Sequence, residues 1–161
     1  MVTINDYDIG AFLKAKLACQ HTAATAGGSG DNAYITGATI DLLSLPFRPT
    51  SALLIAPFEA ALAENKTLTI KSKVEHDTAS NMGTAAVYTY DGAESTGAVV
   101  ATGGTGGSTE TGVYTRAVDL SGIKRYFRFS VHQDLNATGT DTNQLMAVVV
   151  FAPAGIVAQS E

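Results

Sequence analysis

The residues that could do chemistry in this chain are two glycine-rich stretches, three histidines, one cysteine and a turn with Asp, Asn and Thr at alternate positions. Gly27-Gly28-Ser29-Gly30 and Gly103-Gly104-Thr105-Gly106-Gly107 could cradle a phosphate with backbone N–H groups. Neither ends in the Gly-Lys-Ser/Thr of a phosphate-binding loop, and neither opens a helix whose N-terminus would supply a positive dipole. Both read instead as long exposed hairpin loops, with Gly104 and Gly106 at a tip suited to touching a partner.

Nucleophilic catalysis needs a Ser or Cys activated by a base that a third group orients. Cys19, His21, His76, His132 and many serines are the raw material, but no Gly-x-Ser-x-Gly elbow is present. All three histidines fall on polar faces or strand ends and read as solvated surface groups. No two of them share the i, i+2 or i, i+4 spacing that aligns metal ligands on one strand or helix. Asp134-Leu135-Asn136-Ala137-Thr138-Gly139 places oxygen side chains at the first, third and fifth positions of a calcium loop. Its twelfth position is Leu145 rather than a bidentate Glu, so a structural turn is the better reading. The sequence therefore predicts no catalytic residues, no cofactor and no metal.

What positions these residues is a series of short strands. Past residue 30, apolar or alternating runs are separated by Gly, Asn and Asp clusters every ~8–12 residues, the spacing of sandwiches and barrels. Between Lys66 and Glu75, Leu68, Ile70 and Val74 face one way and Thr67, Thr69, Lys71 and Lys73 the other; between Arg125 and His132, Phe127, Phe129 and Val131 alternate with Tyr126, Arg128 and Ser130. Leu145 to Phe151 is continuously apolar, as expected of a strand covered on both faces or by a partner chain. Strands are also expected at Ala33–Leu42, Ala52–Leu62, Ala85–Tyr90, Ala98–Thr102 and Thr111–Leu120, giving eight, the jelly-roll number. Helix-forming Glu59-Ala-Ala-Leu-Ala-Glu64 conflicts with this pattern and is assigned to a strand with a hairpin turn at Asn65. The expected fold is an all-β antiparallel sandwich of jelly-roll type.

Residues 1–30 stand apart from the sandwich domain at 31–161. Asp8 could cap a short helix bearing Ile9, Phe12, Leu13 and Leu17, but the alternation from Lys14 to Cys19 equally permits an edge strand. Thr22–Gly30 reads as a loop, and the whole segment as an arm or edge strand.

Composition bounds the partners. Ten Lys and Arg against fifteen Asp and Glu give a formal charge of -5 with no segregated basic cluster, which disfavours nucleic acid. One cysteine leaves no internal disulfide. The N-terminus lacks the pattern of a secretory signal and no apolar run reaches the ~20 residues of a membrane helix, so a soluble protein made in a host cytoplasm is expected.

Asp119-Leu-Ser-Gly-Ile-Lys-Arg-Tyr-Phe-Arg-Phe-Ser-Val131 and Asp134-Leu-Asn-Ala-Thr-Gly-Thr-Asp141 resemble small head proteins encoded in the structural operons of tailed bacteriophages. Asp31-Asn-Ala-Tyr-Ile-Thr-Gly-Ala-Thr-Ile-Asp41 and the Lys66-Thr-Leu-Thr-Ile-Lys71 strand add to the resemblance, which spans roughly residues 31 to 153. It implies a capsid decoration or cement protein: a β-sandwich on the exterior of the virion that bridges major capsid protein subunits, itself a homo-oligomer with a trimer favoured. Phe47, between Pro46 and Pro49, and Phe58, after Pro57, are then the candidate anchors beside Gly104 and Gly106, with ordinary core packing as their alternative role. A carbohydrate- or receptor-binding module of a phage tail or spike is the other reading, since jelly rolls bind sugars on loops or sheet faces.

Overall fold

A computed structural model describes residues 13–90, 97–137 and 139–153. They form ten strands: β1 Lys14–Thr25, β2 Ala33–Thr36, β3 Ile40–Asp41, β4 Pro49–Leu62, β5 Thr67–Asp77, β6 Ala86–Tyr90, β7 Ala98–Thr102, β8 Ser108–Asp119, β9 Tyr126–Leu135 and β10 Thr142–Pro153. A single 3-10 turn, Leu42–Ser44, is the one helical element among the described residues.

The strands make two antiparallel sheets. The first runs β1-β10-β4-β8; in the second, β9 and β5 are central, with β2 and β3 sharing the edge of β9 and β6 and β7 sharing the edge of β5. Counting each shared edge as one interrupted strand leaves eight positions, paired first with eighth, second with seventh, third with sixth and fourth with fifth. That nesting is what one long hairpin produces when it is rolled up, and the β10–β4 and β9–β5 pairs close the two sheets. The fold is a jelly-roll β-sandwich.

Period-two patterning explains the core. On β4 the inward residues alternate small and large, Ala52-Leu54-Ala56-Phe58-Ala60-Leu62, and interdigitate with inward residues of β5 and β9. Leu68, Ile70 and Val74 come from β5, and Phe127, Phe129 and Val131 from β9. Phe127 meets Phe129 and Phe151 edge-on, each at 5.8 Å between ring centroids, the arrangement aromatic quadrupoles favour. Burial on this regular pattern overrides the helical preference of the segment from Glu59 to Glu64.

Several expectations are corrected. Thr22–Thr25 belong to β1 rather than to a loop; of the two readings left open before them, the edge strand is the one found, from Lys14, and the capping role of Asp8 lies outside the described residues. The stretch Ala33–Leu42 is broken at Gly37, where a Cβ would collide with the carbonyl oxygen of Phe129. The glycine-rich stretches and the Asn65 turn are not hairpins, because each joins strands of different sheets. Asn65 does take the left-handed conformation (φ 60°) of a tight turn. Among the described residues only the β5–β6 turn reverses the chain within one sheet; there Asp77 accepts hydrogen bonds from the backbone of Thr78, Ala79 and Thr84.

Candidate interaction surfaces

The four predicted contact residues do not converge. Phe47 lies beside the start of β4 at one end of the sandwich, while Gly104 and Gly106 lie beyond the far end of that strand, where Leu62 pairs with Ser108. Phe58 points inward, nearly fully buried, with its ring where a Cβ on Gly112 would sit. It is a core residue and not an anchor. Phe47 is half-buried in an apolar hollow of about 380 Å³ with Leu42, Leu43, Leu45 and Ile123, rimmed by Arg48 and Arg125. Arg125 is already committed: it donates to both carboxylate oxygens of Asp41 (3.0 and 2.8 Å), which hold that carboxyl below its usual range.

Gly104 and Gly106 are exposed, as a contact tip requires, but their loop is tied down. Gly106 N–H donates to Glu64 Oε2 (3.0 Å), Gly104 N–H to Ser108 Oγ (2.7 Å) and Gly103 N–H to the Lys66 carbonyl (2.8 Å). The loop is braced against the β4–β5 turn rather than arranged to receive an anion.

The outer face of the second sheet is polar and internally bonded around Glu75. Glu75 on β5 accepts from Arg128 Nε (3.1 Å), Lys73 Nζ (3.2 Å) and Ser130 Oγ (3.1 Å). Burial raises its pKa, but these three donors more than offset that and hold the carboxyl below its ordinary value. His132 shares this face yet is only 5% exposed, against the expectation of a solvated group. The Tyr34 ring packs edge-on against it at 5.0 Å, and the Lys73 ammonium lies 4.7 Å from the same ring. Burial and the nearby Lys71 charge push the His132 pKa down. His76 is half-buried, and its Nδ1 accepts from the Lys124 backbone (3.2 Å). His21 is exposed and bonds Gln144 (3.1 Å). Cys19 is buried, which raises its thiol pKa to about 11 and leaves it poorly nucleophilic. Among the described residues no three His, Cys, Asp or Glu side chains gather as a metal site, and Asp134 sits within β9 rather than in a calcium loop.

The outer face of the first sheet differs in kind. The register aligns Ala15-Val150-Leu53-Ala117 in one row and Leu17-Val148-Ile55-Thr115 in the next, followed by Pro57 paired with Val113 and by Met146 alongside. Leu17, Leu53, Met146 and Val113 are exposed, while Ile55, Val148 and Val150 are half-exposed. Glu59 and Asp119 stand at opposite ends, leaving the middle uncharged. The continuous apolar run Leu145–Phe151 is explained here: its odd residues fill the core and its even residues line this face, so the strand is covered on one face and not on two. Contiguous exposed apolar surface of this kind makes the face a candidate contact site. Sequence reading missed the face as a whole because its residues come from four strands whose neighbours only the topology reveals.

No protein-family model matches this chain, and no curated protein is similar to it. Among solved structures it is similar to the infectious bursal disease virus VP2 subviral particle (9% identity, TM-score 0.42, covering 89% of this chain and 33% of that one). Structures of the Gt strain (8%, TM-score 0.43) and the Gx strain (10%, TM-score 0.45) of the same virus are each matched over 89% of this chain and 32% of theirs. The chain thus spans about a third of the length of each, and a likeness this distant does not identify a role.

Proposed function

We propose that this chain is a structural virion protein that binds the outer surface of a phage capsid and cements neighbouring major capsid protein subunits, without catalytic activity. The observation that carries the reading is the uncharged apolar outer face of the β1-β10-β4-β8 sheet. A rigid jelly roll presents that face as a preformed surface, so docking orders little chain and its cost is mainly lost translation and rotation. Covering each half-exposed Leu, Ile or Val there contributes about 1 kcal/mol, and several together can offset that cost. The resemblance of residues 31–153 to phage head proteins supplies the partner, the exterior of an expanded head. A homo-oligomer multiplies such contacts by avidity.

Co-sedimentation with mature heads that lack the protein tests the reading. Wild type is expected to pellet with the heads, and Leu53→Asp, which places a charge in the middle of the face, to remain in the supernatant while unfolding as cooperatively as wild type. Failure of wild type to bind any expanded head would refute it.

A further inference from the structure

The four sheet edges of this sandwich are treated unequally. The second sheet ends in short pieces, β2 and β3 on one side and β6 and β7 on the other, none longer than five residues. In the first sheet, β1 carries two register irregularities against β10, begins Lys14-Ala15-Lys16, and has its Ala18 carbonyl already taken by the Ala38 N–H (2.8 Å). Short strands, bulges and lysines are the devices that keep an edge from pairing with another chain. β8 has none of them. Its 12 residues run against β4 without irregularity, contain no Pro or Lys, and are uncharged from Thr111 to Thr115. Among the described residues β8 pairs with β4 alone, so alternate backbone N–H and C=O groups face outward along its length. At its centre Val113 is 57% exposed.

We infer that β8 is a homotypic docking edge: two copies of this chain pair their β8 strands antiparallel about a two-fold axis at Val113, joining two four-stranded sheets into one of eight. A second copy is the occupant because the strand is self-complementary in that register. Keeping the outer face of both copies on the same side requires residues of the same parity to be opposite one another. Centring on Val113 then opposes Thr111 to Thr115 and Val113 to its own mate. It also sets Glu110 opposite Arg116, whose guanidinium is turned into the sandwich and donates to Ser72 and Thr89, so that no like charges face each other. Both central side chains belong to the apolar outer face, which the pairing extends unbroken across the axis. An isologous contact of this kind closes at a dimer. The inference does not depend on capsid binding.

The test uses the full chain alone, without capsid. Two residues opposed across a sheet axis have Cα atoms about 4.5–5.5 Å apart, within the span of a disulfide. Val113→Cys is therefore expected to crosslink to itself. The effective concentration in a paired edge is on the order of millimolar, so at ~10 µM protein the disulfide forms about 100-fold faster than in Val99→Cys, an equally exposed residue of β7. Buried Cys19 does not compete. A mixture of Thr111→Cys and Thr115→Cys should crosslink where neither does alone, which fixes the register. Val113→Lys opposes two ammonium groups and should convert a sedimenting dimer to a monomer that still unfolds cooperatively. The inference is overturned if wild type sediments as a monomer and Val113→Cys crosslinks no faster than Val99→Cys. It is equally overturned if the oligomer survives Val113→Lys, since another surface then holds it. Failure here leaves the capsid-binding reading intact, and failure of head binding leaves this edge intact.

Discussion

Gln133 on β9 and Asn143 on β10 meet in the core between the two sheets, both fully buried and joined by one hydrogen bond from Asn143 Nδ2 to Gln133 Oε1 (2.6 Å). Gln133 Nε2 and Asn143 Oδ1 have no partner among the described residues. Asn143→Leu keeps the branched shape of the side chain but removes the bond, worth ~1 kcal/mol net, and strands the Gln133 amide at a further cost of ~1–3 kcal/mol. The single variant should therefore lose about 2–4 kcal/mol, and at about 2–4 °C per kcal/mol for a chain of this size its midpoint should fall by roughly 4–16 °C. Adding Gln133→Met replaces both amides with apolar groups of similar shape. The double variant should recover most of the loss, giving a coupling of about 2 kcal/mol. Urea unfolding of the four proteins at neutral pH measures it. If the two substitutions add to within ~0.5 kcal/mol, the amides are not a coupled pair and the reasoning fails.

His132 sets a pH dependence. Its folded pKa lies below the ordinary value of 6.5, so the unfolded chain protonates first; its contribution is complete above that value and is lost as pH falls through the folded pKa. His132→Gln should flatten the stability curve as pH falls below 6.5, and an unchanged slope by calorimetry would contradict the buried placement. Phe58→Ala should cost about 3–5 kcal/mol, as for any large buried ring, whereas Phe47→Ala, half-buried at an open hollow, should cost less than half of that in the same denaturant titration.

How much of this was legible in the sequence follows from what a strand pattern encodes. The alternation of β5 and β9 reports which residues share a face, and the structure reproduces it, including the inward Leu68, Ile70, Phe127 and Phe129. It does not report whether a face is wet. His132 has the parity of a surface residue, but Tyr34 from β2, which the pairing brings opposite it, covers the ring. Turn residues specify a reversal and not its destination, so Asn65 and the glycine loops read alike whether the next strand pairs or crosses to the other sheet. β1 was legible only at its start, where Lys14 to Cys19 permitted an edge strand, while its continuation to Thr25 read as a loop. Its irregularities bury consecutive Ala18 and Cys19, which destroys the period-two signal. Phe58 was offered as an anchor on its residue type and flanking Pro57, with core packing as its alternative, and its inward parity on β4 decides for the core.

Met146 offers the most direct test of the apolar face. It lies in the middle of that face at 39% exposure, while Met82 is buried, so oxidation of the two thioethers compares the candidate contact with an internal control. With the protein bound to saturating mature heads, docking through this face requires Met146 oxidation to fall severalfold relative to free protein while Met82 is unchanged. Equal Met146 oxidation in free and head-bound protein would show that the β1-β10-β4-β8 face stays open and that the binding surface lies elsewhere.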